Sequence, residues 1–141
     1  FLNQDKTLAR KIKEAALALK IERNFSKKKI LEYYLNNIYL GSNAYGISDA
    51  AWIYFSKTPA LLTLEEVALI AGLPPAPSLY SPLVNPELAL QRRSIVLNKM
   101  LRGGLISQKE FYLAIGKPLE IQQAIPKYFN SEAPFFTSIE D

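Results

Sequence analysis

Apolar residues recur at helical spacing through most of the first 116 positions. Leu8, Ile12, Ala15, Ala16 and Leu19 form one stripe, predicting a helix that runs to about Arg23 with Asp5 or Thr7 as its cap. Ser26 can cap a second helix, in which Ile30, Leu31, Tyr34, Leu35 and Ile38 repeat, with Gly41 as its terminal glycine. Residues 45–55 offer Ala50, Ala51, Trp52 and Phe55 for packing. Thr63 and Glu66 form a T-x-x-E capping box ahead of an apolar run, and Ser107 with Glu110 form another. Asn85-Pro86 starts a helix expected to reach about Arg102, where Gly103-Gly104 ends it. Residues 73–78, with three prolines, read as a stiff, extended connector. Beyond Lys117 the period is lost, and residues 117–141 read as an extended tail. The fold class is therefore mainly α.

Composition narrows the chemistry. A chain of 141 residues holds one domain with a real core, and 49% apolar with 21% charged residues makes it globular rather than disordered. Cys and His are both absent. That excludes Ser–His–Asp catalysis, thiolate chemistry and His-ligated zinc within these residues, leaving carboxylates, Lys, Tyr or water for proton transfer. No apolar run approaches the ~18–20 residues that span a bilayer. The chain opens on Phe inside a polar connector, so it is expected to be part of something longer.

Charge is concentrated at one end. Lys6, Arg10, Lys11, Lys13, Lys20, Arg23, Lys27, Lys28 and Lys29 account for nine of the 17 basic residues. Such a cluster is either a solvated face or a site for phosphate, an anionic lipid surface or nucleic acid. Nucleic acid is the weaker reading, since no Gly-rich clamp, zinc module or aromatic β-platform accompanies it. On the first helix Lys11, Glu14, Ala18 and Glu22 share a strip about 80° wide, bordering the apolar stripe, so the carboxylates should be partly buried. Ordinary helix support is the competing account, because Arg10 and Glu14 are an i,i+4 pair worth only ~0.3–0.5 kcal/mol. On the second helix Glu32 and Asn36 lie opposite the apolar stripe and read as internally hydrogen-bonded structural groups. Arg92 and Arg93 could pair with acidic residues or line an anion site.

Three motifs sharpen this. Arg10-Lys11 with Glu14, Ala18 and Glu22 resembles the R-K-x-x-E-x-x-x-A-x-x-x-E pattern of the peptidoglycan glycosyltransferases. Lys27, Ile30-Leu31-Glu32, Tyr34-Leu35-Asn36, Ile38 and Gly41 match K-x-x-I-L-E-x-Y-L-N-x-I-x-x-G, and Arg93, Val96-Leu97 and Met100 match R-x-x-V-L-x-x-M. The resemblance implies a lysozyme-like helical glycosyltransferase domain, N-terminally truncated: E-D-x-x-F-x-x-H-x-G, with its general-base glutamate, and G-x-S-T-I-T-Q-Q are not among the 141 residues. It also implies a bifunctional class A penicillin-binding protein at the bacterial inner membrane, with a transpeptidase domain after Phe135-Phe136; a monofunctional parent stays open. The implied reaction joins a lipid-linked glycan to lipid II with inversion and release of undecaprenyl pyrophosphate. Glu14 would be the second, non-base glutamate, and Lys6, Arg10 and Lys11 would hold the pyrophosphate. Glu22, Glu32, Asn36 and Arg93 would be structural. No cofactor and no protein metal site is implied, although a divalent cation bridging the pyrophosphate stays open, and the 141 residues alone should be inactive.

Two other functions compete. A lysozyme-like hydrolase needs carboxylates about 5–9.5 Å apart, whereas Glu14 and Glu22 are separated by about 12 Å of helical rise. A module that only binds anionic membrane surfaces would need the basic helix and no chemistry.

Overall fold

The computed structural model describes residues 8–122. The chain forms two compact units, Phe1–Leu35 and Asn36–Asp141, so the division falls inside a helix. The first unit contains α1 (Leu8–Asn24) and most of α2 (Lys27–Asn37). Ser26 caps α2 as the sequence suggests, its Oγ accepting from the Lys29 N–H at 3.2 Å. The α1 period is as expected, but no residue of α1 is buried, and Leu8 and Ile12 are 78% and 62% exposed. Periodicity is a local property of the chain. Burial needs a partner surface, and the described residues do not cover that stripe.

The second unit carries the core. Its helices are α3 (Ile47–Phe55), α4 (Leu64–Ala71), α5 (Pro77–Tyr80), α6 (Pro86–Arg102) and α7 (Gln108–Ile115), with a 3-10 turn at Pro59–Leu61. Leu40, Ala44, Tyr54, Phe55, Leu69, Leu73 and Ala89 belong to one buried cluster; Ala68, Leu97, Phe111 and Ala114 form a second. α4 and α6 each supply residues to both, which ties the clusters together. Both capping boxes form. Glu66 Oε2 accepts from the Thr63 N–H at 3.2 Å, and the Ser107 N–H donates to Glu110 Oε2 at 2.7 Å while Ser107 Oγ accepts from the Glu110 N–H at 3.1 Å.

Two expectations fail locally. Residues 73–78 are not an extended connector: the Ala76 N–H reaches Leu73 O at 3.2 Å, and Pro77 opens α5. Proline is compatible with a first helical position, where its missing N–H costs nothing. Gly41 does not end α2, which stops at Asn37. It belongs instead to a small hairpin closed by the Tyr39–Tyr45 bridge. At its tip the Ala44 N–H donates to Gly41 O at 2.8 Å, and both central residues, Ser42 and Asn43, have positive φ (49° and 63°). That is the backbone pattern of a type I′ turn. Of the tail, residues 117–122 have no regular secondary structure; the remainder lies outside the described residues.

The hairpin is fastened by Tyr54. Its buried hydroxyl donates to Leu40 O at 2.7 Å and lies 3.3 Å from Ser81 Oγ. Ser81 Oγ in turn is 2.6 Å from Ser42 Oγ and accepts from the Leu83 N–H at 3.3 Å. Burial pushes the phenol above its ordinary value of 10.0, and the hydrogen bonds with Ser81 and Ser42 pull the other way. A raised value keeps its stabilisation intact below the unfolded value, and that stabilisation falls away as pH rises through the folded one. Tyr54→Phe should therefore cost about 1–3 kcal/mol at neutral pH, because Leu40 O loses a buried donor. It should also reduce the alkaline loss of stability, which urea titrations at pH 7 and above pH 10 would measure.

Candidate active site on the basic helix

One helical turn of α1 gathers the site. Arg10 Nη1 lies 3.1 Å from Glu14 Oε1, and Lys11 Nζ lies 3.7 Å from Glu14 Oε2. The spacing i, i+1, i+4 puts both cations against one carboxylate, each on its own oxygen. The Arg10 and Glu14 side chains are partly buried, whereas Lys11 is 69% exposed. Without Glu14, two neighbouring cations would repel each other. With it they stand side by side, and the planar fork of Arg10 together with the point charge of Lys11 suits an anion with several oxygens. A groove of about 320 Å³ on the same helix is lined by Ala16, Leu19, Lys20, Arg23 and Asn24 rather than by Glu14. Among the described residues no group of three or more acidic side chains could hold a metal ion.

The other sequence-derived residues are dispersed. Lys6 lies outside the described residues. Glu22 is exposed, not partly buried as its strip suggested, because the border of an uncovered stripe is itself solvent. Glu32 is not internally satisfied: its side chain is 56% exposed and lies 3.6 Å from Lys29 Nζ. Asn36 is also exposed, and its close contact is through the backbone. Gly46, with φ +88°, packs so closely that a Cβ there would collide with Asn36 O. Arg92 Nε donates to Gly72 O at 3.1 Å and its guanidinium covers the Tyr80 ring at 5.1 Å.

Arg93 is the deeply buried cation, 3% exposed. It pairs with carbonyls and not, as one sequence reading had it, with a hydrogen-bonded carboxylate: Nη2 donates to Lys117 O at 2.7 Å and to Ile115 O at 3.4 Å. Nε has no hydrogen-bond partner among the described residues. Burial draws its pKa below the ordinary guanidinium value, and the charge of Glu65 acts against this. Sequence reasoning missed the Tyr54–Ser81–Ser42 cluster and the 2.7 Å pair between Lys57 Nζ and Glu66 Oε1. Neither has a helical spacing to betray it. The hairpin had a signal in Gly41 and Gly46, two glycines flanking a short polar stretch.

Residues 1–101 match the sequence model of the family described as Transglycosylase. The chain belongs to that family. Transglycosylase relatives include penicillin-binding protein 1A of Aquifex aeolicus (strain VF5), 54% identical over 123 residues, which cover 87% of this chain and 17% of that protein. Penicillin-binding protein 1A of Escherichia coli (strain K12) is 53% identical over 111 residues, covering 79% of this chain and 13% of that one. The crystal structure of penicillin-binding protein 1A from Haemophilus influenzae superposes with a TM-score of 0.69 at 40% identity, over 82% of this chain and 17% of the other. The mainly helical fold is thus the fold of the transglycosylase region in that protein. The chain spans less than a fifth of the length of these relatives.

Gly46 offers a direct check on this geometry. Gly46→Ala would place a side chain at positive φ and against Asn36 O, so the loss should be about 1–3 kcal/mol or more. Chemical denaturation of the variant would measure it, and unchanged stability would contradict the close approach.

Proposed function

We propose that this chain supplies the charge-stabilising part of a peptidoglycan glycosyltransferase, which extends a lipid-linked glycan with lipid II and releases undecaprenyl pyrophosphate. The observation that carries the proposal is the single turn in which Glu14 holds Arg10 and Lys11 together. As the anomeric carbon leaves the pyrophosphate, negative charge grows on the phosphate oxygens. Preorganised cations lower the barrier because no solvent needs to reorient around that charge. Arg10 and Lys11 would bind the donor's pyrophosphate, with Lys6 a further candidate. Glu14 would fix their geometry and stabilise positive charge developing at the sugar. Both of its oxygens are engaged by cations, which suits an orienting role rather than that of general base. The base that takes the acceptor hydroxyl proton would come from elsewhere in the longer protein.

Glu22, Glu32, Asn36 and Arg93 enter this reading as structural residues. The lipid-linked substrates place the reaction at the outer face of the bacterial cytoplasmic membrane, and a transpeptidase domain would follow this chain. Among the described residues no helix is long and apolar enough to cross a membrane, so the attachment would be made by other parts. No cofactor enters this reading, and a divalent cation bridging the pyrophosphate stays open.

Glu14→Gln in the complete protein tests the proposal. It keeps the side-chain volume and removes the charge that pairs the two cations. Glycan polymerisation from lipid II should fall about 10²–10³-fold, while association with anionic vesicles should be nearly unchanged. Polymerisation at the unmodified rate would refute the assignment, and equal loss of vesicle binding would favour a module that only binds membrane surfaces.

A further inference from the structure

Residues 117–122 have no regular secondary structure, yet they are held at both ends. At the inner end, Lys117 O accepts from the buried Arg93 guanidinium at 2.7 Å, which also reaches Ile115 O at 3.4 Å. At the outer end, the Gln122 N–H donates to Tyr54 O at 2.9 Å and Gln122 O accepts from Ser56 Oγ at 3.1 Å. This outer anchor uses the end of α3, where the last carbonyls have no helical partner. The Ser56 and Lys57 N–H groups cap Trp52 O and Ala51 O, and at Ser56, with φ 53°, the chain leaves the helix. Tyr54 O is then satisfied by Gln122. Between the anchors, Leu119 and Ile121 rest on the first core cluster. Beside Leu119 the segment crosses a cavity of about 250 Å³, lined also by Phe55, Lys57, Glu65, Arg93 and Lys117.

We propose that residues 117–122 are a strap with Arg93 as its inner buckle and Ser56 as its outer one, fixing the point from which the continuing chain leaves the domain. An interdomain segment without such anchors would be a free linker, and its ends would wander. Here the exit is set by directional hydrogen bonds at two points, with a cavity beside the span, so losing an anchor should loosen the span. Lysine is a poor replacement for Arg93 in this role. Its shorter side chain must bring one nitrogen to the place where Nη2 meets both carbonyls, and its ammonium is more strongly hydrated and costlier to bury than a guanidinium. The substitution keeps the charge and changes the reach and the donor geometry, which makes it a useful probe. The inference is independent of the glycosyltransferase reading, since no atom of it lies on α1.

Hydrogen–deuterium exchange on the full-length protein carrying this chain tests the strap. In the unmodified protein the peptide containing residues 117–122 should exchange more slowly than an unstructured segment, with the Gln122 amide protected. Ser56→Gly retains a residue suited to positive φ and deletes the outer side-chain anchor, so exchange at Gln122 should accelerate about fivefold or more. Arg93→Lys should accelerate residues 117–122 together by about tenfold or more. Amides of α4 and the first half of α6 should be unchanged in Ser56→Gly, which separates a lifted strap from an unfolded domain. Unprotected exchange at Gln122 in the unmodified protein would overturn the proposal, as would an unaltered rate in Ser56→Gly. If Arg93→Lys also loosens α4 and α6, Ser56→Gly decides alone.

Discussion

The second unit depends on one buried hydroxyl. Tyr54 sits on α3, and its phenol donates to Leu40 O beside Ser81, so a helix, a hairpin and the turn after α5 meet at a single polar point. The surrounding cluster is apolar, and a carbonyl left unpaired there would cost about 1–3 kcal/mol. Several sequence choices follow from this. Gly41 must lack a Cβ, since one would press on Pro77 O and the Tyr54 hydroxyl. Ser81 must be small and hydroxylated, because it is fully buried and shared by Ser42, Tyr54 and the Leu83 N–H. Ser42 tolerates its left-handed backbone because its side chain is fastened to Ser81. The backbone carbonyl of the same tyrosine receives Gln122, so the hairpin and the departing chain are set by opposite ends of one residue.

The protein handles positive charge in two physically different ways. Arg10 and Lys11 stand at a partly solvated surface with a carboxylate between them, where opposite charges screen one another and water completes the solvation. Such a pair adds little stability. What it provides is two cations held side by side on one helical turn, the arrangement on which the proposed anion site rests. Arg93 is the reverse case: its charge is taken out of water and met by carbonyl dipoles and a nearby Glu65 rather than by a bonded acid. Removing charge from solvent is expensive, so the carbonyls that meet it must be well placed. The first arrangement suits chemistry on a phosphate. The second suits holding a backbone in one place.

How much of this was legible in the sequence depended on the range of the interaction. Asn85-Pro86, Gly103-Gly104 and the two capping boxes gave helix limits that the structure reproduces, because caps are decided within four residues. The proline-rich residues 73–78 were misread because proline excludes a helix interior but not a helix start. Only the location of the next apolar contact distinguishes those outcomes, and Tyr80 packing on the first cluster supplies it. Gly41 was correctly singled out as special and wrongly explained. A glycine after an apolar helical run looks like a cap unless the residues that follow it are known to turn back on themselves, as 42–45 do here. The burial of α1 was unreadable for another reason. A stripe shows what could be covered, not whether anything covers it, and no residue of α1 is buried.

The candidate site was more legible than its surroundings, and the contrast has a physical basis. Arg10, Lys11 and Glu14 are joined by helix geometry alone, so a sequence suffices to place them within reach of one another. Glu22, on the same strip, shows that sharing a face is not sharing a site: two further turns carry it away from both cations and into solvent. Arg93 shows the converse. Nothing within its own helix turn explains it, since Ile115 and Lys117 lie more than twenty positions away, and its partners are backbone atoms that carry no side-chain signature. A motif arginine therefore need not mark an anion. Where one of its nitrogens meets two carbonyls at the end of a following helix, the residue reads main-chain geometry. What its sequence position then encodes is the path of the chain.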